Sequence, residues 1–240
     1  MKRAYLFVAG LAVLAMTLVI FITPVFATDT GTATVDSVRG QSLSNVVVVR
    51  THSSWPWYLV RASGLVAGVS LVILMLSGIG SVTGHTFKFL EPLTAWATHR
   101  ALGIVFIISV GIHMLGLLFD QFVSFNLLSL LVPWAAEYKQ VTLFGIHFGS
   151  LYVALGVLSF YGALAIVLTS LFWIDKKPKI WKFLHIASYI VITLVFFHAL
   201  MLGTDTGSGW IRLAWVTGGI LVAAAAIARL KRVGTTNVKK

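Results

Sequence analysis

The sequence contains no cysteine, which excludes disulfides, iron–sulfur clusters, thioether-attached haem and zinc–thiolate sites together. Charge is nearly as scarce. Asp, Glu, Lys and Arg make up 10% of the 240 residues, with seven acids against eighteen bases. A chain that is 58% apolar with a mean hydropathy of +0.95 is no soluble globule, and the composition predicts one that lives in lipid. The formal charge of +11 does not predict nucleic-acid binding, because the bases form no continuous face and cluster at the ends of apolar runs. Without cysteine, redox chemistry needs a cofactor held by other residues. The candidate ligands are seven histidines: His52, His85, His99, His113, His147, His185 and His198.

A bilayer core of about 30 Å takes about 20 apolar helical residues. Charge-poor windows of that length run over residues 4–27, 56–80, 97–118, 145–173, 183–203 and 211–229, so the expected fold is an all-α, polytopic transmembrane helix bundle of six spans. All eight tryptophans fall near expected span ends or in connections, as an interfacial aromatic belt requires. With the N-terminus inside, Lys2, Arg3, Lys88, Arg100, the group Lys176, Lys177, Lys179 and Lys182, Arg229, Lys231, Arg232, Lys239 and Lys240 are cytoplasmic, while Asp29, Asp36, Asp120, Glu137 and Asp205 are external. The topology expected is N-in, C-in. Residues 1–27 read equally as a signal anchor or a cleaved signal peptide, which would leave five spans. Residues 28–54, rich in Thr, Ser, Asp and Gly, read as an external polar linker, 55–230 as the membrane domain and 231–240 as a basic cytoplasmic tail. Residues 126–133 read as a short helix on the outer surface, and no internal repeat is present.

A histidine inside a span costs free energy and so marks a functional site by default. His99 and His113 are fourteen residues apart, about 21 Å of helix rise and about 40° around the axis, so both can face one neighbour. His185 and His198 are thirteen apart, about 19.5 Å, on a span running the same way. Depth therefore pairs His99 with His185 near the cytoplasmic side and His113 with His198 near the outside. One histidine from each of two helices, repeated one leaflet apart, is what two six-coordinate b-type haems need, whereas a mononuclear metal site gathers three or four ligands at one depth. A thirteen-residue step turns about 220°, so either the haems approach the fifth span from different flanks or that helix is distorted. The competing reading is that each histidine hydrogen-bonds between helices. His52 and His85 read as solvated, and His147 as opening the fourth span at outer depth. Arg61 and Arg100 sit where each could pair with the carboxylates of one haem, or simply snorkel.

Trp57-Tyr-Leu-Val-Arg-Ala-Ser-Gly-Leu-Val66, His99-Arg-Ala-Leu-Gly103, His113 with Asp120, Trp181-Lys-Phe-Leu-His185 with Ser188-Tyr189, and His198 followed by Gly203-Thr-Asp-Thr206 together resemble the ferric reductase-like transmembrane domain. The likeness spans roughly Trp55 to Trp210. It implies two haems between the third and fifth helices, with His99, His113, His185 and His198 as ligands. Family reductases continue into flavin- and nicotinamide-binding domains; this sequence ends ten residues after Leu230 with no Gly-x-Gly-x-x-Gly after a strand, so a self-contained NAD(P)H reductase is not expected.

The expected function is electron transfer outward across a bacterial cytoplasmic membrane, from a cytoplasmic flavoprotein or a quinol to an external acceptor, as one subunit of a longer chain. Alternatives are the haem subunit of a periplasmic repair oxidoreductase, such as one acting on methionine sulfoxide, and a haem-free membrane scaffold or transporter.

Overall fold

The computed structural model describes residues 43–238 apart from Gln121 and Ser124, and side chains from Trp55 to Lys231 with the further exception of Leu143. The expected first span, 4–27, lies outside the described residues. From Leu43 onward the chain is an all-α polytopic membrane bundle in which five helical stretches are long and apolar enough to cross a bilayer: Trp55–Thr83, Pro92–Leu117, Leu151–Phe172, Pro178–Leu202 and Gly209–Lys231.

Helix α1 (Leu43–Thr83) begins inside the segment expected to be linker. Over residues 43–54 that expectation is corrected: the run Val46-Val-Val-Val49 continues a helix, and Pro56 is accommodated within it at the cost of one backbone hydrogen bond. Gly84, with φ +79°, ends α1 in the left-handed conformation that glycine adopts freely. A 3-10 turn (Thr86–Lys88) leads to α2 (Pro92–Leu117), which starts with proline at its first position, where no N–H is needed.

The short helix expected near Asn126 is α3 (Leu127–Leu131), closed by a reciprocal capping box between Asn126 and Ser129. A small hairpin comes next, β1 (Thr142–Leu143) against β2 (Ile146–His147), turning through Phe144 and Gly145 at positive φ. The fourth span therefore opens at Leu151 as α4 (Leu151–Phe172), later than the 145 expected from hydropathy. Apolar content alone cannot separate Gly145–Ser150 from the helix behind it; the two glycines at positive φ, Gly145 and Gly149, do.

The fifth span is two helices, α5 (Pro178–Ile186) and α6 (Ser188–Leu202), interrupted at Ala187. There the Ala187 N–H turns back to the Leu184 carbonyl at 3.0 Å, a tightened i→i−3 turn. Of the two alternatives left open by the thirteen-residue step, a distorted helix is present, its interruption two residues past His185. Helix α7 (Gly209–Val238) closes the bundle and runs through the boundary expected at 230.

The core is built at four-residue steps along α1, where Ala67, Leu71, Met75 and Ile79 bury one stripe against Tyr189, Val191 and Ile192 of α6 and Val222 and Ala226 of α7. A second cluster sets Phe196, 1% exposed, against Trp215, their rings stacked 5.9 Å apart. Trp215 packs so closely that a Cβ on Gly68 would meet its ring at 2.9 Å. Helix α2 packs chiefly on α1 and α6 chiefly on α4, and α2 and α6 scarcely touch. Helix α2, with His99 and His113, and α6, with His198, are thus held apart by different partners. Lys88, Arg100, the Lys176–Lys182 group and Lys231 collect at one end of the spans, the basic end; Asp120, Glu137 and Asp205 collect at the far end.

A candidate cofactor site of paired histidines

The gap between α2 and the broken fifth span, α5 with His185 and α6 with His198, is crossed by side chains. At the basic end the rings of His99 and His185 lie 6.1 Å apart, centroid to centroid, inclined by 54°. At the far end His113 and His198 lie 6.4 Å apart, inclined by 85°. All four are half-buried. Between the tiers Phe106, seven residues from each histidine of α2, is buried in the same apolar cluster as Tyr189 and Ile192. Among the described residues no three of His, Cys, Asp or Glu converge, so the arrangement is two by two.

Each imidazole is oriented by its Nδ1. His113 donates from Nδ1 to the Val60 carbonyl at 2.9 Å, and His198 to the Tyr152 carbonyl at 2.9 Å. A carbonyl oxygen only accepts, so both rings carry their proton on Nδ1 and bare their Nε2 lone pair. At the basic end the acceptors are hydroxyls: His99 Nδ1 is 3.0 Å from Ser77 Oγ and His185 Nδ1 is 3.4 Å from Ser170 Oγ. Ser77 spends its own proton on the Leu74 carbonyl at 3.1 Å and Ser170 on Ile166 at 2.7 Å, which leaves both oxygens to accept. Ser170 also accepts from Trp181 Nε1 at 3.1 Å, and the Trp181 ring lies 5.4 Å from that of His185. All four Nε2 atoms are therefore left for a Lewis acid, with second partners in place as metal-binding histidines require.

Glycine makes the approach possible. A Cβ on Gly156 would meet His198 Nδ1 at 2.5 Å, one on Gly64 would meet His113 Nδ1 at 3.1 Å, and one on Gly78 would meet His99 Cε1 at 3.3 Å. Gly64 and Gly78 are fourteen residues apart, the same step as His99 to His113 on the antiparallel neighbour. That matched step is a sequence signal that the reading of the histidines alone missed.

A family model described as the ferric reductase like transmembrane component matches residues 63–196, more than half of the chain and all but one of the four paired histidines. The chain belongs to the ferric reductase-like transmembrane family. A search of curated proteins and a search of solved structures each returned no match. Membership makes this a multi-pass membrane domain of electron-transfer type, and domains of this family generally bind haem.

Other expected site residues fall differently in this ferric reductase-like domain. Arg61 donates to Asp205 through Nε at 2.8 Å and through Nη2, and its guanidinium lies 4.1 Å over the Trp57 ring. The partner of Arg61 within the chain is thus Asp205, a carboxylate that the sequence reading did not connect with it. Those hydrogen bonds hold the Asp205 carboxyl below the usual carboxylate range, against a smaller opposing effect of burial. Arg100 is exposed, 5.5 Å over Trp96. His147 sits in β2 instead of opening a span; it is exposed, with Nδ1 3.0 Å from Thr142 Oγ1. His85 is exposed beside Thr83. One basic residue was missed: Arg229, read only as a topological charge, donates to the Tyr189 hydroxyl at 2.6 Å, one turn beyond His185 in sequence.

Proposed function

We propose that the chain is a dihaem b-type cytochrome of a bacterial cytoplasmic membrane, carrying electrons from a cytoplasmic flavoprotein or a quinol to an external acceptor as the membrane subunit of a longer chain. The observation that carries this reading is the pairing of four Nδ1-oriented imidazoles in two tiers. A metal–nitrogen bond of about 2 Å and a ring nitrogen about 1.1 Å from its centroid separate two axial imidazole centroids by about 6.2 Å. The separations of 6.1 and 6.4 Å fit that requirement. The hydrogen bonds that tie these rings to neighbouring helices use Nδ1 alone, which leaves the Nε2 of each facing pair for a haem iron.

In this reading His99 and His185 hold one iron and His113 and His198 the other. Bound haem supplies one-electron exchange at its iron. The protein fixes the tautomers, excludes lipid from the gap through Phe106 and the α1–α6 core, and sets two stops one leaflet apart along the path outward. With two imidazoles holding each iron, the bound group would serve electron transfer to an acceptor and not chemistry on a bound one.

Stoichiometry tests the proposal. Acid acetone should extract the pigment, because no cysteine attaches it, and pyridine haemochrome should give two haems per chain. His198→Leu should lower that value to one and abolish reduction of an impermeant external acceptor in reconstituted vesicles, while the remaining haem is still reduced from the cytoplasmic side. A wild-type value near one or zero overturns the two-tier assignment.

A further inference from the structure

The two tiers differ in what their Nδ1 protons meet, and the difference has one sign throughout. A backbone carbonyl is a strong acceptor; by drawing on Nδ1–H it makes the imidazole more electron-donating at Nε2, which stabilises the oxidised iron and lowers its potential. Both far-end histidines have such a partner, each at 2.9 Å. Both basic-end histidines have a serine hydroxyl, a weaker acceptor, and the one facing His185 is 3.4 Å away and shared with Trp181. Arg229 adds to this. It lies in α7 at the basic end, bonded to the Tyr189 hydroxyl one helical turn beyond His185, with its guanidinium 5.8 Å from the Tyr189 ring centre. A fixed positive charge inside a span favours the reduced, less positive iron.

We infer that the tiers are electronically ordered: His99 and His185 hold the higher-potential haem, and Ser77, Ser170 and Arg229 are the positioning residues that set it apart from the lower-potential haem at His113 and His198. The inference rests on the dihaem reading. Its consequence is directional, since an electron supplied from the cytoplasm is retained on the donor side until an external acceptor, aided by the inside-negative membrane potential, draws it across.

Redox titration of the purified, lipid-reconstituted protein, monitored by its visible absorption, tests the ordering. Two separate one-electron waves are expected. Arg229→Gln should move the upper wave to lower potential, Arg229→Lys should leave it near its wild-type position, and Ser77→Ala should move it to higher potential; none should move the lower wave. His198→Leu should remove the lower wave and spare the upper. The ordering is overturned if the two haems titrate as one wave, if the His198 variant retains the lower wave, or if both Arg229→Gln and Ser77→Ala leave the upper wave in place. Ser77→Ala alone carries the test if Arg229→Gln loses haem. Absence of haem from the wild-type protein would instead overturn the underlying reading, and haemochrome stoichiometry on the same samples separates the two failures.

Discussion

The far-end tier is built from backbone and the basic-end tier from side chains. His113 and His198 lean on two main-chain carbonyls and crowd against Gly64 and Gly156; His99 and His185 lean on two serine hydroxyls, with Trp181 and Arg229 nearby and a helix interruption at Ala187. A carbonyl cannot be removed by substitution, so the far end is geometrically stiff and sensitive to volume. The basic end is open to tuning through chemistry.

Volume is accordingly the strongest way to break the symmetry. Gly156→Ala puts a methyl group 2.5 Å from His198 Nδ1 and 2.6 Å from Cε1, inside any tolerated contact, so the imidazole must leave the Tyr152 carbonyl. Gly78→Ala meets His99 at 3.3 Å, a distance that a few tenths of an ångström of adjustment accommodates. Gly156→Ala should lower haem affinity at the far tier by about 10–100-fold, the range for loss of a second-shell partner, and Gly78→Ala should retain both haems. Haem content and the low-spin ferric signals measure this, and equal retention by both variants would remove the stiffness argument.

How much of the fold and site is legible in the sequence depends on the kind of signal involved. Span existence is a composition signal, and the histidine tiers are a depth signal that survives small errors in span ends, so both can be read from one sequence. The start of α4 cannot, because Gly145–Ser150 is as apolar as a helix end and only its backbone angles distinguish it. Arg61 illustrates another limit. Its guanidinium chemistry is readable, but Asp205 lies 144 residues away, and nothing local announces that partner. Ser77 and Ser170 resemble ordinary helix serines until a neighbouring helix brings a ring nitrogen to each. Gly64 and Gly78 are the one missed signal that a comparison of steps between adjacent spans would have found.

The basic end also carries the surface on which a donor would act. Lys176, Lys177, Lys179 and Lys182 are all exposed around the start of the broken span, with Lys177 Nζ 5.1 Å over the Trp173 ring. Orienting the chain in the membrane explains such a cluster by itself. Steering of an acidic flavoprotein requires more: at low ionic strength, reversing all four to Glu should slow cytoplasmic reduction about tenfold or more, the difference shrinking as salt shortens the screening length. Stopped-flow reduction at several salt concentrations reads this, with haem content as the folding control. Rates independent of salt in wild type and variant alike would leave the lysines with orientation only.

The smallest effect is expected at the far end, where Arg61 and Asp205 tie α1 to the connection after α6, one residue beyond the Val60 carbonyl that orients His113 and seven beyond His198. The Asp205 carboxyl titrates below its ordinary value because the charged form accepts from Arg61. A carboxyl depressed in the folded state contributes stability that is fully present above its unfolded pKa of about 3.9 and is lost as pH falls through the folded value. Arg61 is about a third exposed, at 32%, so solvent screening limits the contribution to at most about 1 kcal/mol. Asp205→Asn should therefore lower the unfolding temperature slightly at pH 7, and the gap between variant and wild type should begin to narrow below about pH 4 and go on narrowing as pH falls toward the depressed folded value. Thermal unfolding in detergent, monitored by helical circular dichroism from pH 7 to pH 3, measures that gap. A gap constant over the whole range would mean that Asp205 acts through its hydrogen-bond geometry and not its charge, and the far tier would then owe nothing to the ion pair.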